Sequence, residues 1–68
     1  MQTLCQRLED LRIKFRQTKE DVARIAKVTG TTIGEWEKDL SIPRDDKLKR
    51  LAEYYNVSFE WLRVGVNR

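Results

Sequence analysis

The chain has 68 residues, with 14 Lys and Arg against 11 Asp and Glu, no histidine and one cysteine. At this size folding buries only about 62% of the extended-chain surface, so residues 1–68 read as one small domain with no room for a Rossmann unit or a barrel. Without histidine the commonest general base and metal ligand is missing, and Cys5 alone supplies neither a disulfide framework nor a Cys/His zinc set. No metal or other cofactor is expected, and no small-molecule ligand is evident in the sequence. A lone thiol and the lack of a signal-peptide apolar region point to the cytosol, and apolar runs of at most two residues leave no membrane span.

The formal net charge is +3 and the pI about 9.3. Residues 1–34 hold seven basic and four acidic groups, a net of +3, whereas residues 35–68 hold seven of each. The whole positive excess lies in the first half, which is compatible with a polyanionic partner and also with the ordinary charged surface of a small helical domain.

The periodicity is helical throughout, predicting an all-α fold of five short helices over about 3–16, 18–26, 29–38, 45–55 and 58–64. Leu4, Leu8, Leu11 and Phe15 draw one apolar stripe, and Thr3 with Gln6 makes a capping-box start. Thr18, with Asp21 three residues on, opens a second helix whose buried face is Val22, Ala23 and Ala26. Thr29 caps a third, turning Ile33 and Trp36 inward. Pro43 marks a loop, and Asp45 or Asp46 is expected to cap the fourth helix, with Leu48, Leu51, Ala52 and Tyr55 on its core side. Ser58 caps the fifth, which carries Phe59 and Leu62 and stops at Gly65.

One pair of helices is spaced for a task. Small Ala23, Val28 five residues on, Ile33 ten on and Trp36 thirteen on describe two helices crossing closely over a tight turn. That is a helix-turn-helix pattern, whose second helix projects to enter a DNA major groove.

Around it Leu11-Arg12, Thr18 to Ala23, Ile33, Trp36-Glu37, Pro43, Leu48, Leu51-Ala52, Val57-Ser58 and Trp61-Leu62 resemble the Cro and lambda-repressor-like (XRE-type) helix-turn-helix domains, over about Leu8 to Gly65. The resemblance implies a compact five-helix domain that binds double-stranded operator DNA as a phage- or prophage-type transcriptional repressor, in the bacterial cytoplasm or nucleoid. It also implies a homodimer on a palindrome. Carried over by position, Gly30, Thr31, Gly34 and Glu35 face the groove with Lys19, beside Thr29 and Thr32. Thr18, Lys38 and Arg44 are the phosphate candidates, and Arg12 with Glu37 form a structural ion pair.

Two departures from that family matter. Glycines at 30 and 34 cannot read a base edge, and each costs about 1 kcal/mol of helix propensity. Either the bare backbone lets the helix sit deep, with Thr31 or Thr32 on a thymine methyl and Glu35 accepting from a cytosine N4, or strong readout has been lost. Secondly, Arg16, Lys27 and Asp39 stand where such domains often have glycine with φ > 0, so Lys27 is expected to be strained or its turn reshaped.

An enzyme is disfavoured, since the only serines are Ser41 and Ser58 and no Gly-rich phosphate loop exists. The alternative is a protein-interaction module on the same fold, antitoxin- or anti-repressor-like. Trp61, Val64 and Val66 offer a small dimer patch, although Trp61 is expected to be largely core, so dimerisation in solution should be weak.

Overall fold

A computed structural model describes residues 3–65. Five helices follow one another: α1 (Leu4–Lys14), α2 (Lys19–Ala26), α3 (Gly30–Glu37), α4 (Asp45–Tyr55) and α5 (Phe59–Val64). Four of the five starts are written locally. Thr3 and Gln6, and Thr18 and Asp21, form reciprocal capping boxes; Thr29 accepts from the Thr32 amide and Ser58 from the Trp61 amide. Each satisfies an amide that the helix leaves orphaned. The start of α4 differs from the sequence expectation. Arg44 occupies the cap without a side-chain hydrogen bond, and Asp45 and Asp46 lie in the first turn, where they act on the helix dipole instead.

The ends of α1 to α4 share one device. The amides of Gln17, Val28, Leu40 and Val57 each reach back five residues, to the carbonyls of Arg12, Ala23, Glu35 and Ala52, at 2.9–3.0 Å. This closure requires a left-handed residue just before the donor. Arg16 (φ 56°), Lys27 (φ 62°), Asp39 (φ 64°) and Asn56 (φ 60°) supply it. Strain at Lys27 is thus present as expected, and Asn56 joins the set. Because the turn at Arg16 follows so closely, α1 ends at Lys14 rather than continuing to 16.

The core gathers Leu8, Leu11, Val22, Ala23, Ala26, Ile33, Trp36, Leu48, Leu51, Ala52, Tyr55 and Leu62. Helix α3 packs on α2 and α1, α4 on α2 and α5, and α5 also on α1. Phe15, in spacing the last member of the apolar stripe, is exposed, because α1 has ended and its ring lies edge-on to Tyr55 at 4.9 Å. Phe59 and Trp61 are half-buried against the core rather than within it.

Arg7, a charged residue beside the apolar stripe of α1, is buried. It falls on the Leu4–Leu8–Leu11 face, and its Nε donates to the Leu62 carbonyl at 3.1 Å while an Nη donates to that of Arg63 at 3.2 Å. The guanidinium thereby serves the carbonyl end of α5. Gly65 closes that end at φ 81°, and a Cβ there would meet an Arg7 Nη at 2.7 Å, so both conformation and space demand glycine.

Candidate nucleic-acid interface

The α2–α3 pair is held from both sides. Inside, Ala23, Ile33 and Trp36 are buried and Val28 packs against them. Outside, Arg12 of α1 meets Glu37 in a two-point pairing, Nε to Oε2 at 2.7 Å and Nη to Oε1 at 3.2 Å, while its remaining nitrogen donates to the Gln17 carbonyl at 3.0 Å. The side chains keep only 16% and 6% of their exposure, and hydrogen bonding to Glu37 is the main cause holding the Arg12 pKa above its ordinary value. One guanidinium therefore fixes the end of α3 and the turn leading into α2. This matches the ion pair that the resemblance implied.

Gln17 extends the brace. Its side chain accepts from the Tyr55 hydroxyl at 2.7 Å and donates to that of Tyr54 at 3.0 Å, tying the same turn to α4. Burial, with Tyr54 beside it, pushes the Tyr55 pKa up to about 12.

Held this way, α3 leaves one side open, along a shallow groove of about 350 Å³ lined by Lys19, Glu20, Gly30, Thr31, Gly34, Glu35, Lys38 and Leu40. Six of the ten candidate residues meet there: Lys19, Gly30, Thr31, Gly34, Glu35 and Lys38. Thr18 sits at the N-terminus of α2, its hydroxyl occupied by the Asp21 amide at 3.1 Å. Thr29 and Thr32 bond to each other at 3.0 Å at the start of α3, which makes them capping residues first. Arg44 lies elsewhere, in a second depression with Val28, Trp36, Ile42, Pro43, Asp46 and Lys47.

The groove carries two cations, Lys19 and Lys38, beside two carboxylates, Glu20 and Glu35. Arg12, Arg24 and Arg63 are paired with Glu37, Asp21 and Asp45, whereas Lys19 and Lys38 have no ion pair among the described residues. Their charges are available to an outside partner.

The sequence reading missed Glu20. A Cβ at position 30 would lie 2.7 Å from Glu20 Oε2, and one at position 34 would lie 4.0 Å from Cδ and Nζ of Lys19. The two glycines, one turn apart on α3, are thus overlaid by the first two side chains of α2 rather than bare. The signal was the coincidence of glycines at i and i+4 with long charged side chains opening the preceding helix.

No curated protein matches the sequence. A solved structure of the P22 c2 repressor, in complex with synthetic operator 9T in the presence of Tl⁺, is similar with a TM-score of 0.88 and 21% identity, covering 97% of this chain and 100% of that one. The helix-turn-helix family model matches residues 8–62. With the α2–α3 pair braced as described, the chain belongs to the helix-turn-helix family of Cro and lambda-repressor-like domains.

Proposed function

We propose that this domain binds double-stranded DNA as a transcriptional regulator, of the phage- or prophage-type repressor kind, by placing the open side of α3 in the major groove. The observation that carries the reading is a braced α2–α3 pair whose open groove is flanked by two lysines without internal ion pairs. The basic excess of residues 1–34, which contain α1, α2 and the start of α3, supports it. Lys19, Lys38, Arg44 and the α2 start at Thr18 serve phosphates; Thr31 and Glu35 face base edges. Two copies act together on a palindromic operator, associating weakly in solution and more firmly on DNA. Val64, 51% exposed, belongs to the proposed dimer patch with Trp61; Val66 lies outside the described residues.

Fluorescence anisotropy on random and selected duplexes at two salt concentrations tests this. With three to four phosphate contacts per subunit, log K for the dimer falls against log salt with a slope of about −5 to −7. Absence of salt-sensitive binding to any duplex would refute the proposal. It would favour a protein-interaction module, the reading that Leu40 supports by standing 72% exposed on the same groove.

A further inference from the structure

In a helix-turn-helix pair the reading side chains are ordinarily sought on the second helix. Here α3 offers only glycine at positions 30 and 34, one helical turn apart, and α2 fills both places. The Glu20 carboxylate lies against the backbone of Gly30, 2.7 Å from where a Cβ would stand, and the Lys19 ammonium is 4.0 Å from the corresponding point at Gly34. No hydrogen bond or ion pair holds Glu20 elsewhere among the described residues, and it lines the same groove as Thr31 and Glu35.

Taking DNA binding as proposed above, we infer that Glu20 is a specificity-determining residue, which reads a base amino group through the space left by Gly30. The chemistry follows from the head groups. A carboxylate only accepts, so it pairs with cytosine N4 and is repelled by the acceptor edges of guanine and thymine. The Lys19 ammonium only donates, and suits guanine O6 and N7. The two backbone windows are about 6 Å apart along α3, against a base-pair rise of about 3.4 Å, so the two heads address base pairs one or two steps apart. The operator half-site of this domain accordingly places a cytosine amino edge one or two base pairs from a guanine acceptor edge. Glycine at position 30 leaves the carboxylate its place, since a Cβ there would stand 2.7 Å from Glu20 Oε2.

The test begins with selection of duplexes from a randomised library by the full chain. Every base of the selected half-site is then exchanged, and competition is measured by anisotropy for wild type, Glu20→Ala, Glu20→Gln, Gly30→Ala and Gly34→Ala. Discrimination for cytosine at one position drops about tenfold in Glu20→Ala, while preferences elsewhere persist. Glu20→Gln moves that preference toward adenine, which an amide pairs through N6 and N7. Gly30→Ala, which displaces the carboxylate, reproduces the Glu20→Ala profile; Gly34→Ala, whose methyl meets Lys19 at ordinary contact distance, retains the wild-type profile. Circular dichroism verifies that each variant is folded, and Glu20 is exposed, so its replacement disturbs no core. A Glu20→Ala protein with the wild-type base profile overturns this inference alone, even where its affinity rises through relief of phosphate repulsion. A wild type without salt-sensitive binding to any duplex overturns the DNA reading as well.

Discussion

Lys27 offers a direct measurement of backbone strain, because it is exposed and its left-handed conformation (φ 62°, ψ 48°) is needed for the Val28 amide to reach the Ala23 carbonyl. An L side chain in this region costs about 1–2 kcal/mol relative to the right-handed form. Glycine removes that cost but adds about 0.4–1 kcal/mol of unfolded-state entropy. Replacing lysine also loses about 0.3–1 kcal/mol of favourable charge at the end of α2. The charge contribution cancels when Lys27→Gly is compared with Lys27→Ala, since both lose it, and the backbone difference remains at about 1 kcal/mol in favour of glycine. For a domain of this size that separates the two melting temperatures by about 4–8 °C, followed by circular dichroism at 222 nm. At Asn56, a residue type that visits this conformation readily, replacing the native residue by glycine relieves less backbone strain than it does at Lys27. Lys27→Gly and Lys27→Ala melting within about 1 °C of one another would refute the assignment of strain to this residue.

Two further outcomes follow from the brace around the helix pair. Arg12→Met or Glu37→Leu alone strands its partner's charge at a site with little solvent, and costs about 3 kcal/mol in urea denaturation; the double replacement costs clearly less than the sum, whereas additive losses would show that the pairing contributes nothing. The Tyr55 hydroxyl has a folded pKa of about 12 against an ordinary 10.0, so the neutral form is favoured by folding. Its contribution is complete below pH 10 and is lost as pH rises toward 12, making the melting temperature of the wild type fall more steeply there than that of Tyr55→Phe. Parallel declines of the two proteins would contradict the assigned cause.

Much of this domain is determined by short-range chemistry. The capping residues Thr3, Thr18, Thr29 and Ser58, the spacing of Ala23, Val28, Ile33 and Trp36, and the non-glycine helix ends at Arg16, Lys27 and Asp39 all act within a few residues of their own backbone. Their consequences are therefore legible before any packing is known. The Arg12–Glu37 pair was accessible only through resemblance, since its partners are 25 residues apart. Tertiary structure alone decided the rest. Arg7 is buried because carbonyls of α5, 55 and 56 residues away, accept its donors, and no local pattern announces acceptors at that distance. Phe15 is exposed because α1 stops before it, and Arg44 rather than an aspartate takes the cap position of α4, both aspartates lying already in its first turn. Glu20 acquires its place over Gly30 only once α2 and α3 cross. Local backbone preferences identify helices one at a time; the surface that two helices present together depends on the angle and closeness at which the core makes them meet.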